Sequence, residues 1–332
     1  MKISSKTIKN FVLEKNSKVV FTPGPGSLLE ENINGLGPFF GRGDDHYNKI
    51  EANVIKNLKK ISGLKNVAGF QGSGSLAIEI ALQNFVKGKV LVVKTGYYSD
   101  RVNNILKFLK SNFKKIKQID TISWKKIRYF KKKYDWVCAS PVETSIGLKV
   151  PIKELASLKK RCSANLMLDA TGSIGLEDGH NNAEVVSFSS CKGLFGLTGA
   201  AFVAYKIKPK NIVKSFYMDI NTHIEKKLTG PYHTIGSLYI VLKKYKKFKD
   251  AVKKNKNKFL KDNKEFLVYP LENQPLLCTY SKRKFYNKKK NIIIYESRKK
   301  INGSVVSHLG ETYLKENAKG LIQKNLLRKN EK

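Results

Sequence analysis

Cysteine is scarce in this chain: four residues in 332, far apart at Cys138, Cys162, Cys191 and Cys278. No C-x-x-C pair occurs, which argues against a disulfide framework and a structural zinc site and fits a reducing compartment. No run of ~18 apolar residues exists, so no membrane-spanning helix is expected. The opening residues MKISSKTIKNFVLEKN lack a continuous apolar stretch and a small-residue cleavage site; no secretory leader is expected, and a cytoplasmic location is. Acidic residues are also few, 26 Asp+Glu against 64 Lys+Arg, for a net charge of +38. Within that excess arginine is rare: only Arg42, Arg101, Arg128, Arg161, Arg283, Arg298 and Arg328. Proteins that read nucleic acids lean on Arg for bidentate contacts, so the composition predicts no nucleic-acid partner. The lysines are spread along the chain, often at the spacing of an outer helix face, as in Lys107, Lys110, Lys114, Lys115 and Lys117. A surplus of Lys, Asn and Ile is also what an A/T-rich coding sequence produces. The competing reading, a basic nucleic-acid-binding protein, requires clustered Arg and exposed aromatics.

What is present is a core: 41% hydrophobic and 10% aromatic residues exclude wholesale disorder. At ~100–200 residues per domain the length suits one large domain and a smaller one. From about Tyr47, short apolar runs alternate with amphipathic ones. Strands are predicted at Val67–Gln71, Val90–Val93, Ile116–Ile119, Asp135–Ala139, Asn165–Leu168, Glu184–Ser187 and Ala200–Ala204. Helices are predicted at Ile50–Ile61, Ser75–Val86, Arg101–Leu109, Trp124–Lys132 and Ile152–Lys160. That alternation means βαβ units around a largely parallel sheet, with ligands at the carboxyl ends of the strands. After about Lys208 the pattern changes. One long helix is predicted over Ser237–Phe259, then strands near Phe266–Tyr269, Leu276–Tyr280, Asn291–Tyr295 and Ser304–His308, and a last helix near Thr312–Leu327. The expected division is an N-terminal arm at 1–20, a large domain at 21–235, and a connecting helix with a small α+β domain at 236–332. The tract Ser281–Lys290 reads as a solvated loop or helix.

Three signals sit at strand ends. Gln71-Gly-Ser-Gly-Ser75 lies between a strand and a helix, where glycines admit a ligand to the backbone and a helix N-terminus favours an anion. A plain Gly/Ser turn with an N-cap is the blander reading. Asp169 ends the apolar run Leu166–Leu168, which is costly unless it has a partner; it is a turn residue, or a carboxylate facing a metal or a protonated ring nitrogen. Lys192 stands among small residues in Ser189-Ser-Cys-Lys-Gly193, unlike the clustered surface lysines, and a partly buried Lys can bind a carbonyl carbon covalently. A Lys, a carboxylate and an anion pocket together fit one chemistry, that of pyridoxal phosphate.

At this point the chain resembles the class V, fold-type I pyridoxal-phosphate aminotransferases. Within them it is most similar to the 2-aminoethylphosphonate–pyruvate transaminase branch, with the alanine–glyoxylate branch more distant. The motifs run in order from Phe21 to Leu314: TPGP (22–25), DDHYN (44–48), QGSGS (71–75), GYYSDR (96–101), ETSIG (143–147), LDATGS (168–173), SSCKG (189–193), MDI (218–220) and YHT (232–234). The resemblance implies a large domain with a mostly parallel seven-stranded sheet, a small C-terminal α+β domain, pyridoxal 5'-phosphate as cofactor and no metal. It implies transfer of an amino group between a small acidic amine, 2-aminoethylphosphonate-like, and a 2-oxo acid such as pyruvate. An alanine–glyoxylate-type transaminase or a lyase on the same cofactor is the alternative. Lys192 matches the cofactor-carrying lysine and Asp169 the carboxylate paired to the ring nitrogen. Ser73, Gly74 and Ser75 match the phosphate loop, and Tyr98 the aromatic stacked on the ring. Thr144, with Ser145 as the near alternative, matches the hydroxyl near the phenolic oxygen. Thr234 matches a threonine that reaches the phosphate from a second subunit, which implies a homodimer.

One departure concerns the substrate. The family's small domain carries an Arg that binds the substrate's acidic end; here that position falls on Val305, in Ser304-Val-Val-Ser-His-Leu-Gly310. A valine cannot pair with a carboxylate or phosphonate. Arg42, on the N-terminal segment, is the first substitute to consider, and Arg298, after the strand at Ile292–Tyr295, the second. A desulfurase would need a cysteine on a flexible loop, whereas Cys278 lies in an apolar run.

Overall fold

The computed structural model describes residue 10 and residues 19–26, 28–286, 292–310 and 327–328. Seven strands form the central sheet: β2 (Asn66–Gln71), β3 (Gly88–Lys94), β4 (Ile116–Ser123), β5 (Trp136–Ala139), β8 (Asn165–Asp169), β9 (Val185–Ser189) and β10 (Ala200–Tyr205). β1 (Val19–Phe21) precedes them, and β6 (Val142–Glu143) and β7 (Leu148–Lys149) form a small hairpin. The spatial order is β2-β10-β9-β8-β5-β3-β4. Only β10 runs against its neighbours, pairing antiparallel with β2 and with β9. The other pairings are parallel, and two reversals across β10 set β2 in line with them, so six strands deliver their carboxyl ends to one edge of the sheet.

Both sheet faces are covered, as the near-continuous apolar strands predict. Alternate residues go to opposite sides: Leu91, Val93, Val186, Phe188, Phe202 and Ala204 enter one cluster. Val90, Val92, Val185, Ala201 and Val203 enter the other. The helices keep their apolar positions three and four apart. α2 (Asp45–Ser62) buries Tyr47, Ile50, Val54 and Leu58, is capped by the Asp44 carboxylate and stops at left-handed Gly63. α1 (Glu30–Asn34), α3 (Gly74–Phe85), α4 (Tyr97–Phe113), α5 (Ile152–Arg161) and α6 (Ile220–Lys226) complete the layers, followed by α7 (Tyr232–Lys243) and α8 (Tyr245–Asn263). A smaller C-terminal unit packs α8 over β11 (Cys278–Ser281) and β14 (Ser304–Ser307), which pair antiparallel. β12 (Phe285–Tyr286) and β13 (Ile292–Ile294) lie between them, β13 alongside β1.

Three local expectations are corrected. Trp124–Lys132 is not an α-helix but a 3-10 turn over Trp124–Tyr129. Arg161 donates to the carbonyls of Ile127 (2.7 Å) and Phe130 (3.1 Å), occupying acceptors that a continuing helix would use. The long helix at Ser237–Phe259 is two helices, broken at Lys244. α7 is held against α1, where a Cβ on Gly35 would meet the Gly236 carbonyl at 2.4 Å, and α8 must turn to bury Phe248, Val252 and Phe259 elsewhere. Phe266–Tyr269 is no strand: Leu267 makes one bridge to Ser281, and Pro270 ends the run. The last helix expected at Thr312–Leu327 and most of the N-terminal arm lie outside the described residues. Among the described residues no helix is long and apolar enough to cross a membrane.

Two histidines are buried in this architecture. His180 Nε2 meets Ser173 Oγ at 2.9 Å and His308 Nε2 meets Thr279 Oγ1 at 2.7 Å. Burial lowers their pKa values to about 4 and about 3. Both are therefore neutral when folded at pH values where the unfolded chain takes up protons, so stability falls as pH drops below the usual histidine value. Between pH 6.5 and 4 each histidine costs about 1.4 kcal/mol per pH unit. Denaturant titrations across that range should show this slope, and His180→Gln should reduce it by about half.

Candidate active site

The carboxyl edge of the sheet opens into a cavity of about 350 Å³. Strand register explains why distant motifs meet there. Ala200, at the start of β10, pairs with Gln71 at the end of β2, and Ala201 pairs with Ser189 at the end of β9. Gly72 N donates to Gly199 O at 2.9 Å, tying the two loops together. On the next strand Asp169 pairs with Ser187. The three strand-end signals thus become neighbours because β2, β8 and β9 point the same way.

Ser73, Gly74 and Ser75 line one end of the cavity, where α3 begins. Ser73 is the N-cap residue of α3, as the blander reading has it, but its side chain makes no capping hydrogen bond, which leaves the first amides of α3 for an anion. Arg101, one turn into α4, donates to Ser75 Oγ at 2.6 Å and brings a cation to the same end. A Cβ on Gly74 would lie 2.8 Å from Thr171 Oγ1, so glycine keeps this floor open. Asp169 is 4% exposed and accepts from Thr171 N (3.1 Å) and Ser140 Oγ (3.4 Å), which offsets the cost of a carboxylate at a strand end.

Lys192 follows β9 and lines the same cavity. Its Nζ lies 5.4 Å from the centroid of the Tyr98 ring. Its stem passes the Gly24–Pro25 turn so closely that a Cβ on Gly24 would sit 2.5 Å from Lys192 Cγ, and Gly26 N donates to Cys191 O at 2.9 Å. Tyr98 is fixed by its own amide, which donates to Glu143 Oε2 at 2.9 Å. Burial pushes the Glu143 carboxyl up, against the hydrogen bonds from Ser145, Tyr98 and Ser99. Ser145 Oγ is committed to Glu143. Thr144 instead faces the cavity with its buried Oγ1 unpartnered, as is Thr171 Oγ1. Of the Thr144/Ser145 pair, Thr144 is the one with a free hydroxyl.

The mouth is electropositive. Arg298 lines the cavity and lies 5.2 Å from the Tyr97 ring centroid. Hydrogen bonding by Arg101 and the charge of Arg298 lower the Tyr97 hydroxyl pKa. Lys299 pairs with Asp100 at 3.2 Å, and Lys94 pairs with the same carboxylate. Ser297 Oγ donates to Ser145 O at 2.6 Å, so the segment after β13 is fastened to the large domain at the site.

Two expected residues are placed elsewhere in this chain. Arg42 lines a separate cavity of about 500 Å³ between α2 and α7, with Glu51 and Tyr232. Thr234 is buried behind the cavity, its Oγ1 donating to Thr198 O at 3.0 Å. Val305 is fully buried opposite Tyr280 among Leu277, Cys278 and Leu309. Cys278 is buried too, and burial pushes its thiol up to about 12, unlike a mobile nucleophile. Among the described residues no cluster of three or more His, Cys, Asp or Glu could hold a metal. Sequence reasoning singled out neither Arg101, Thr171, Glu143 nor Gly24 individually. All four stood inside quoted motifs, and nothing in the local pattern marked their contacts.

No protein-family model matches the chain. It is 26% identical over 271 residues to a bifunctional phosphonoacetaldehyde hydrolase/aminoethylphosphonate transaminase of Clostridioides difficile, covering 73% of this chain and 42% of that one. It is 28% identical over 236 residues to an uncharacterized aminotransferase of Methanocaldococcus jannaschii, covering 65% and 61%. It is 27% identical over 254 residues to a 2-aminoethylphosphonate–pyruvate transaminase of Pseudomonas putida, covering 69% of each. The match thus spans less than two thirds of the first two relatives. Among solved structures, a Thermus thermophilus aspartate aminotransferase superposes with a TM-score of 0.76 at 18% identity over 92% of this chain and 97% of that one. A Nostoc alanine–glyoxylate aminotransferase gives 0.74 at 16%, over 92% and 93%. These likenesses show the fold: the expected fold-type I arrangement, with its mostly parallel sheet and smaller C-terminal domain. The resemblance drawn from the motifs is matched by relatives of the names it suggested.

The Gly24 contact gives a direct test. At φ +127° and 2.5 Å from Lys192, Gly24→Ala adds backbone strain of about 1–3 kcal/mol and displaces the lysine. The variant should fold with a lower melting temperature and bind pyridoxal phosphate at least about tenfold more weakly by absorbance titration; unaltered binding would show that Lys192 does not depend on this turn.

Proposed function

We propose that the chain is a pyridoxal-phosphate-dependent aminotransferase, working as a homodimer, that moves an amino group from a small acidic amine of the 2-aminoethylphosphonate kind to a 2-oxo acid such as pyruvate. The observation that carries this reading is the cavity itself. Lys192, Asp169, Tyr98 and the Ser73–Ser75 turn all line it, and two hydroxyls, Thr144 Oγ1 and Thr171 Oγ1, are buried there with nothing to bond. An unpaired buried hydroxyl costs ~1–3 kcal/mol, so such a site is built for a polar ligand. The names of the relatives support the phosphonate assignment.

The cofactor, when bound, supplies a carbonyl carbon that accepts the amino group and a ring that withdraws the electrons released next to it. The remaining work falls to the chain. Asp169 keeps a proton on the ring nitrogen. The amides and hydroxyls of Ser73, Gly74 and Ser75 hold the phosphate, with Arg101 alongside. Tyr98 would lie against the ring, and Thr144 Oγ1, which has no partner among the described residues, would donate to the phenolic oxygen. Lys192 Nζ would hold the cofactor through its carbonyl carbon and would be the base placed to move the proton at the carbon bearing the substrate nitrogen. Thr234 does not line its own chain's cavity, and we assign it to the phosphate held by a second copy. Arg298 takes the substrate's acidic end. It lines the cavity, whereas Arg42 does not, and the position of the family's arginine is the buried Val305.

Two outcomes test this. Borohydride reduction of the holoenzyme followed by peptide mapping should label Lys192 out of 57 lysines, and Lys192→Ala should abolish both the label and amino transfer. A label elsewhere overturns the assignment. Arg298→Ala should lower kcat/KM for 2-aminoethylphosphonate by at least about tenfold, as removal of a charge-assisted hydrogen bond requires, and leave the holoenzyme spectrum intact. A larger effect from Arg42→Ala would return the anchor to the N-terminal segment, and indifference to both would remove the acidic group from the substrate.

A further inference from the structure

The far edge of the sheet, away from the cofactor cavity, ends in β4 and the 3-10 turn Trp124–Tyr129. The stretch Trp124-Lys-Lys-Ile-Arg-Tyr-Phe-Lys-Lys-Lys133 carries six cations and three aromatic rings. Only Ile127 of the turn is buried. Tyr129 is 84% exposed, which is unusual for so large a ring and leaves most of its surface free. Arg128 stands 5.7 Å from the Tyr129 centroid, and Lys125 stands 5.9 Å from the Trp124 ring. Among the described residues no carboxylate forms an ion pair with Lys125 or Arg128, while Lys132 is 3.7 Å from Asp120. Beside the turn is an open cleft of about 720 Å³, walled by α5 and the Leu271–Asn273 turn. Lys153 and Arg161 face it from α5; Glu154 and Glu272 are its acidic members. Arg161 is committed to backbone carbonyls and holds the turn in shape.

We propose that this edge is a binding surface for single-stranded nucleic acid. Two features select that partner among polyanions. Cations spaced along an open cleft meet a phosphate backbone, and the exposed Tyr129 ring beside Arg128, with the partly buried Trp124 on the cleft wall, offers a stacking face to bases, which a membrane or a polysaccharide does not supply. A duplex keeps its bases inside and gains only the charge contacts. Arg scarcity across the chain argues against reading a base sequence, and this surface needs none: stacking and phosphate contacts are sequence-tolerant. The proposal does not depend on the aminotransferase reading, since none of these residues lines the cofactor cavity.

The chain's two tryptophans make the test specific. Trp136 is 3% exposed inside β5, and Trp124 lines the cleft, so quenching by a bound base reports Trp124. The holoenzyme is titrated with a labelled 15-nucleotide single strand, a duplex of equal length, heparin and vesicles of phosphatidylserine. The expected result is tighter binding of the single strand than of the other three, tryptophan quenching that Trp124→Phe removes, and affinity that falls with salt. A Lys125→Gln/Arg128→Gln/Lys153→Gln variant should bind at least about tenfold more weakly, with a salt slope shallower by ~0.7 for each phosphate no longer neutralised. Tyr129→Ala should weaken binding by about tenfold with the salt slope unchanged. The control changes three exposed lysines of comparable charge, Lys107→Gln/Lys110→Gln/Lys114→Gln, on and just after α4, which covers the other face of the sheet. An equal weakening in the control means the net charge binds and no site exists. Equal or tighter binding of heparin, vesicles or duplex, or no quenching of Trp124, also overturns the proposal. Cofactor absorbance and melting temperature, unchanged in every variant, exclude misfolding as the cause.

Discussion

The site depends on strand direction. A parallel sheet stacks the carboxyl ends of its strands along one edge, and each parallel strand must be followed by a crossover that returns the chain to the other edge. Every loop leaving that edge then faces the same space. β2 contributes Ser73–Ser75, β3 leads to Tyr98 and Arg101, β8 ends on Asp169 and β9 leads to Lys192. The reversed strand β10 belongs to the same constraint. Being antiparallel, it brings its amino end to the shared edge, so Gly199 meets Gly72 and closes the phosphate side. A one-residue slip of β10 would move Phe202 off the face where its ring stacks 5.4 Å from Phe188, so core packing and site geometry are locked by the same register.

On that frame the reactive groups are held by close backbone approach more than by long side-chain networks. Gly24 lets the 22–26 turn press against the Lys192 stem, and Gly74 leaves room for Thr171. Glu143 buries a carboxylate to pin the Tyr98 amide and the Ser145 hydroxyl. The C-terminal unit adds the other wall through Ser297, Arg298 and Lys299, which reach Ser145, Tyr97 and Asp100. The Arg298 and Lys299 contacts are solvent-exposed, so each contributes little to stability, and the part-buried Ser297 bond is the firmer tie. Arg101 and Arg298 line one opening, with Lys94 and Lys299 sharing the single carboxylate of Asp100 nearby, so the local field there is positive and suits an anionic ligand.

Much of this was legible in the chain. The strands were readable because strands covered on both faces, parallel or reversed, are short, apolar and bounded by turns, as at Val90–Val93 and Ala200–Ala204. Lys192 and Asp169 stood out because their neighbours are small or apolar in a protein whose other lysines cluster on surfaces. What was not legible was anything decided by contacts between distant segments. The periodicity at 237–259 continues through Lys244, but α7 serves the sheet core and α8 the C-terminal cluster, and no single axis serves both. Trp124–Lys132 has helical spacing, yet Arg161, more than thirty residues away, takes its carbonyls.

The substrate anchor shows the same division. The sequence, through the resemblance its motifs carry, set Val305 where an arginine was expected, named Arg42 and Arg298 as the cations to consider, and marked Lys192, Asp169 and the Ser73–Ser75 turn as candidates, because residue identity and motif order are local facts. Only the tertiary structure decided that Arg298 shares the cavity with Lys192 while Arg42 faces another, and that Thr144 keeps a free hydroxyl while Ser145 spends its own on Glu143. The physical reason is that a side chain's role follows from which neighbours satisfy its hydrogen bonds and charge, and those neighbours are chosen by the packing of the sheet and not by adjacency in the chain.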